Sequence, residues 1–269
     1  EMKQPYLSKG FFISRSLFYF ICWSFLSRRL YYHSIRYDSP DSLISLRKIS
    51  SVGTVVFALT MTFAAFDWLM TLTPYWYSTM FGVYFFSGSF LVAVAFILII
   101  LIYLRYNGFL FNEVNIEHYH DLGRIMFGFT VFWAYIAGFQ YYLIWYSNLP
   151  EEIEWYLTKT HGTWSNLTLF LIYGHFVLPF VILLFNSAKR NLSIMGFLAV
   201  LVLIMHWCDL YWNVLPNLYH DNIVFNWSDI TIFIAHGGFF MSLFWKKLSE
   251  QPMVPSSEPR LTDSIEGRY

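Results

Sequence analysis

Apolar residues fall in seven long blocks along the chain, at about 10–27, 51–71, 78–104, 122–146, 164–186, 193–215 and 227–246. A bilayer core of about 30 Å takes about 20 helical residues to cross, and each block has room for that. None alternates with a period of two over ten-residue stretches, the pattern of barrel strands. Helices are the other way to satisfy backbone groups in lipid. The pattern predicts an all-α polytopic membrane bundle over 1–247. A polar tail over 248–269 follows, ending "QPMVPSSEPRLTDSIEGRY".

Composition agrees: 57% of residues are hydrophobic and 13% charged, against about 45–50% and about 25% in soluble domains. The 29 Phe, 20 Tyr and 11 Trp exceed what one interfacial belt needs, so part of this ring surface must pack between helices or line a pocket. Positive charge sorts the connections. Thirteen of the seventeen basic residues fall on one side: Arg28, Arg29, Arg36, Arg47, Lys48, Arg105, Arg124, Lys189, Arg190, Lys246, Lys247, Arg260 and Arg268. The other side has Lys3, Lys9 and Lys159, and Arg15 lies inside the first block. The positive-inside bias predicts a cytoplasmic C-terminus, with loops 71–77, 147–163 and 216–226 outside. An odd number of spans then starts outside with no signal peptide before it, so the chain is expected to be the C-terminal part of a longer protein.

The outer loops contain "TLTPYWY", "SNLPEEIEWYLTKTHGTW" and "PNLYHDNIVFNW". They suit an aromatic belt at the membrane surface or a docking face for extramembrane subunits. Cys22 and Cys208 stand alone in separate blocks, which excludes iron–sulfur and covalent-haem spacings. No phosphate-binding glycine loop is present, and "AHGGFF" at 235–240 reads as a close-packing point inside a helix.

The polar groups within the spans carry the candidate chemistry. At about 1.5 Å per residue, Asp67 falls roughly 9 Å outward of its helix centre, with His206 and Asp209 roughly 3 and 7 Å outward of theirs. Arg15 shares that outer half. His206 and Asp209 are three apart and project from one helix face, so each needs a partner, and Arg15 and Asp67 are available at matching depth. The four make either a cluster that pins helices or a polar pocket for protons or a headgroup. His175 and His236 fall near the midplane, as buried core histidines, relay groups or, less economically, haem ligands. His161 and His220 lie fourteen residues from His175 and His206 but next to loop signals, which weighs against a two-haem arrangement. On the inner side, Asp121 suits a cap for the fourth helix. Alternatively Glu117, His118, His120 and Asp121 form a proton funnel, and a metal site from the two histidines lacks a second pair nearby.

Three stretches carry a resemblance: "FDWLMTLTPYWYSTMFGVYFF" at 66–86, "HDLGRIMFGFTVFWAYIAGFQYYLIWYSNLPEEIEWY" at 120–156 and "DLYWNVLPN" at 209–217. With the "EPRLTDS" tail they resemble the ActF-type membrane subunit of bacterial alternative complex III, similar to NrfD and polysulfide reductase membrane subunits. The resemblance implies a ten-helix subunit, three of whose helices precede Glu1. The complex it implies is a quinol:electron acceptor oxidoreductase of the bacterial inner membrane. Its substrate is menaquinol or ubiquinol. Its partners are an ActC-like membrane subunit, periplasmic subunits carrying iron–sulfur clusters and c-type haems, and a cytochrome or haem-copper oxidase. No prosthetic group is expected in this chain, and no nucleic-acid partner. In the family the ActF subunit is discussed as a proton-conducting unit; quinol binding and scaffolding are the alternatives. Asp67 and Asp209 fall on the family's polar membrane positions. The expected path joins Asp67, Arg15, His206 and Asp209 outside, His175 and His236 at the middle, and Asp121 and His120 at a cytoplasmic mouth.

Overall fold

The computed structural model of the protein describes residues 5–35, 40–220, 222–250 and 253–254, without the side chains of 40–44. Glu1, Lys3, Arg36, Arg260, Arg268 and most of the expected tail lie outside the described residues. All regular structure among the described residues is helical, as the apolar blocks require. In order the helices are α1 (Lys9–Ile35), α2 (Pro40–Trp68), α3 (Phe81–Tyr106), α4 (Ile116–Ser147), α5 (Pro150–Thr160), α6 (Trp164–Leu171), α7 (Leu178–Leu184), α8 (Asn186–Lys189), α9 (Leu192–Val214) and α10 (Trp227–Ser249). Six stretches among the described residues are long and apolar enough to cross a membrane: Lys9–Ile35, Ser45–Leu72, Phe81–Tyr106, Ile116–Ser147, Trp164–Leu184 and Leu192–Asn217. The expected seventh, α10, has the length but not the apolar content, because Asp229, His236 and Gly237–Gly238 dilute it.

The centre of the bundle is α3, which packs against α9, α4 and α2. Its faces bury Leu91, Val94, Ala95 and Leu98 against Met126 of α4 and Leu198, Ala199 and Val202 of α9. Lipid tails are as apolar as these side chains, so close packing rather than water exclusion holds such helices together. Small residues make that possible. A Cβ on Gly174 would lie 2.4 Å from Met205 Sδ, and one on Gly82 would lie 2.4 Å from Thr62 Cγ2. Gly237 and Gly238, expected as a packing point, face open space instead. Their helix α10 has no buried residue and touches its neighbours through ring contacts such as Phe96–Phe240 and Trp207–Phe233. Phe11, Ile13, Leu17, Phe18, Ile21 and Phe25 of α1 are all exposed, an apolar surface that suits lipid rather than water.

Two local features depart from the block pattern. The loop 147–163 contains α5, an amphipathic helix that Pro150 starts and that buries Trp155, Tyr156 and Lys159. The span Trp164–Leu184 is interrupted by a π-helical turn, Ile172–Val177. Pro179 follows it and has no N–H to offer the His175 carbonyl four residues back, a local cause for the wider turn. Helix α4 starts at Ile116, six residues before the expected span, and Asn115 caps it in a capping box with His118. Asp121 is therefore inside the helix and not its cap.

A buried acid–imidazole cluster beside an aromatic cleft

The polar groups within the spans form two separate clusters. In the first, Asp67 ends α2 with both carboxylate oxygens saturated. Arg15 of α1 donates from Nε at 2.8 Å and Nη2 at 3.1 Å, and the hydroxyls of Tyr6 and Tyr19 each donate at 2.7 Å. Arg15 also donates to the Tyr6 carbonyl at 2.9 Å and lies over the Tyr6 and Phe11 rings. A planar guanidinium matches a carboxylate with two parallel bonds, so this pair is fixed in geometry as well as charge. The expected partnership of Arg15 and Asp67 with His206 and Asp209 is not what the structure builds. Arg15 and Asp67 satisfy each other, and Asp67 clamps α1 to α2.

The second cluster lies among α3, α4, α9 and the π turn. Asp209 accepts a hydrogen bond from the Tyr84 hydroxyl of α3. Asn213, one turn on, donates to the Asp209 carbonyl at 2.8 Å and to the Tyr84 oxygen at 3.2 Å. His206 Nδ1 lies 3.8 Å from Asp209 Oδ2, as the three-residue spacing requires. The ring fits because α3 carries glycine at 88, where a Cβ would come within 2.6 Å of His206 Cε1. His175 stands on the π turn, its ring 6.0 Å from that of His206 and 4.0 Å from that of Trp133. All of these side chains are buried. Among the described residues, neither nitrogen of His175 nor Nδ1 of His206 has a hydrogen-bond partner. Polar atoms left open in a buried place call for water or a ligand.

Beside this cluster opens a cleft of about 600 Å³, walled by Trp133, Tyr141, Trp155, Tyr156, Phe176 and Trp212, with Tyr84, Gln140, Asp209, Thr160 and Thr168 among its polar groups. Gln140 Oε1 is buried and unpartnered. The wall is stiffened by tryptophans from two connections and from α9. Trp76 stacks on Trp155 at 4.3 Å with planes 8° apart, and Trp212 meets Trp155 edge-on at 5.4 Å. Part of the aromatic content of the loops is therefore internal packing, while Tyr75, Tyr77 and Trp227 stay exposed.

The remaining candidates are scattered. His236 is exposed on α10, its Nδ1 2.9 Å from the Ile232 carbonyl of its own helix, and it does not join His175. Asp121, partly exposed, pairs with Arg124 at 3.0 Å. His120 is buried, 3.7 Å from Glu117 and 3.5 Å from Asn186, while Glu117 pairs with Arg190 at 3.0 Å. His161 and His220 stand beyond helix ends, as their neighbours suggested. Among the described residues no group of three or more His, Cys, Asp and Glu side chains converges on a metal position. Tyr84, Trp133, Gln140 and Asn213 escaped the sequence reading. Asn213 stands four residues after Asp209 on α9, a spacing the sequence does show, whereas Tyr84, Trp133 and Gln140 come from α3 and α4 and meet the cluster only in the tertiary fold.

The fold and this interior define an all-α, multi-pass membrane protein with an acid–imidazole cluster inside the bundle. Neither a protein-family model nor a curated protein matches the chain.

Proposed function

We propose that the chain is an integral membrane subunit of a respiratory quinol:electron acceptor oxidoreductase of the alternative complex III type, in which it carries part of a proton path. The observation that carries this reading is the row Asp209, His206 and His175. It comprises a carboxylate 3.8 Å from one imidazole and a second imidazole 6.0 Å further, with open ring nitrogens and no strong cation among them. Ionisable groups buried in a membrane bundle are expensive and mark ion or proton pathways. Imidazoles beside a carboxylate exchange protons without changing the fold. Asp67 is held by Arg15 and two tyrosines and belongs to the scaffold of this path, not to its chain of carriers. The resemblance of 66–86, 120–156 and 209–217 to ActF subunits supports the complex, the quinol substrate, the bacterial inner membrane and the partner subunits. The charge bias of the loops, counted with α10 as a seventh span, supports a cytoplasmic C-terminus.

A second reading has its own observation. The 600 Å³ aromatic cleft lined by Tyr84 and Asp209, with the Gln140 Oε1 unpartnered, has the dimensions and chemistry of a site for a ring-bearing headgroup such as quinol. Protons released per quinol oxidised by the intact complex in liposomes separate the two. Asp209→Asn should lower the ratio while electron transfer continues. An unchanged ratio refutes the path, and loss of electron transfer in an assembled complex favours the quinol site.

A further inference from the structure

Lys159, beside the cleft-lining Trp155 and Trp212, is a strong cation that nothing above employs. It is fully buried near the end of α5. Its Nζ lies 3.6 Å from the centre of the Trp155 ring and 5.3 Å from that of Trp212. Its hydrogen-bond acceptor is the Trp155 carbonyl of its own turn, 3.5 Å away. An ammonium has three donors, and this one has a single acceptor at the limit of range. The indole faces return part of the lost hydration. Burial still penalises the charged form and brings the amine down to about 7, where protonated and neutral forms coexist near neutral pH.

Its surroundings connect it to the acid cluster. Thr168 donates to the Lys159 carbonyl at 2.8 Å and accepts from the Trp212 indole at 2.8 Å. Trp212, Thr168, Trp155 and Thr160 all border the cleft that reaches Asp209. The titratable groups on the elements packed around it include Glu151, Glu152, Glu154, Tyr156 and His161 on α5 and its end, Tyr75 and Tyr77 beside Trp76, Tyr141 on α4, Tyr84 on α3 and Asp209 and Tyr211 on α9. Packed α6 supplies none. Among the described residues no carboxylate lies within ion-pair distance of Nζ, and Tyr156 is kept protonated by burial.

We propose that Lys159 is the group through which protons leave the cleft at the aromatic-loop face, as an amine that alternates between NH2 and NH3+. The proposal rests on the proton-path reading. Protonated Asp209 gives its proton through cleft water to the neutral amine, leaving a carboxylate and an ammonium. The ammonium then releases that proton to bulk water, and Asp209 is reprotonated from the His206 side. One proton moves per cycle and no electron does. A caged ammonium without a counter-ion is a transient carrier, because nothing traps the charge there. Its neutral form leaves no buried charge between turnovers.

The test uses the intact complex in liposomes, with proton release to the aromatic-loop side followed between pH 6 and pH 9 during quinol oxidation. The parent should lose translocated protons as pH on that side falls through about 7, because the amine then stays charged. Lys159→Arg, charged at every pH, should slow translocation at least tenfold with electron transfer intact. Lys159→Met, which suits the indole cage, should slow it similarly and abolish the decline near neutral pH. If Asp209→Asn lowers the ratio and Lys159→Met keeps both ratio and pH profile, the exit assignment is overturned and the path stands. If Asp209→Asn changes nothing, the path reading itself fails. Should the arginine variant not assemble, the methionine variant alone decides.

Discussion

Replacing Asp67 by Asn tests the clamp between α1 and α2 with almost no change of shape. The carboxylate accepts four hydrogen bonds, two from Arg15 and one each from Tyr6 and Tyr19. An amide keeps one accepting oxygen and turns an N–H toward the other pair of donors, so at least one guanidinium N–H faces another donor. Hydrogen bonds to charged groups contribute about 1.5–3 kcal/mol each, and breaking a buried ion pair costs about 3–5 kcal/mol. The Arg15 side chain keeps 12% of its exposure and recovers some hydration, which places the expected loss near the lower end, about 3 kcal/mol. Arg15→Met should cost a similar amount by leaving the carboxylate unpaired. The double variant should cost less than the sum by about 2 kcal/mol, since neither charge is then stranded. Unfolding in one detergent and lipid mixture, followed by circular dichroism, measures all four corners of this cycle. Additive single effects, within about 0.5 kcal/mol, or an Asp67→Asn protein as stable as the parent, would refute the clamp.

Three further outcomes follow from the same geometry. Gly88→Ala should displace the His206 ring and cost about 1–3 kcal/mol by overpacking, visible as a lower unfolding midpoint; an unaffected protein would mean that His206 does not lie against α3. Tyr84→Phe removes the hydroxyl that holds Asp209 and should destabilise by about 1–2 kcal/mol, with proton release more impaired than quinol oxidation; equal loss of both would argue for a headgroup site. Lys159→Met should be more stable than the parent near pH 6. Folding lowers the lysine pKa, so the unfolded chain binds more protons and parental stability rises between about pH 7 and the ordinary lysine value of 10.5. The advantage of the variant therefore narrows across that window, and a pH-independent difference would contradict a buried titrating amine.

Much of the architecture was legible because lipid imposes one rule: every buried backbone group must be satisfied within a helix, and an apolar run of about twenty residues states that directly. The His206–Asp209 pair was legible for a similar reason, since its geometry is local to one helix. The partners of Asp67 were not. Depth along a helix constrains one coordinate, and the choice of Arg15 over His206 is made by which helices touch. Helix α5 was hidden by its three glutamates within a loop between longer runs, and with it the burial of Lys159. In sequence that lysine is an ordinary polar position; Trp155 lies one turn before it on α5, but its burial also depends on Trp212 arriving from α9. Asp121 was misplaced as a cap because polar residues at 117–121 masked the true helix start at Ile116. The π turn had a sequence mark in Pro179, but a proline also fits a simple kink.

The Arg15–Asp67 clamp bears on how the protein is made. Its two charges belong to consecutive helices that pack on each other as a hairpin. A lone carboxylate or guanidinium moving into hydrocarbon during synthesis carries a penalty of several kcal/mol. Paired within the hairpin, the two cross as one neutral unit before α3 or any later helix has emerged. The contact that fixes the finished structure thus also lowers the barrier to its biogenesis. Variants of either residue should accumulate poorly in the membrane for a reason separate from the stability of whatever protein does arrive there.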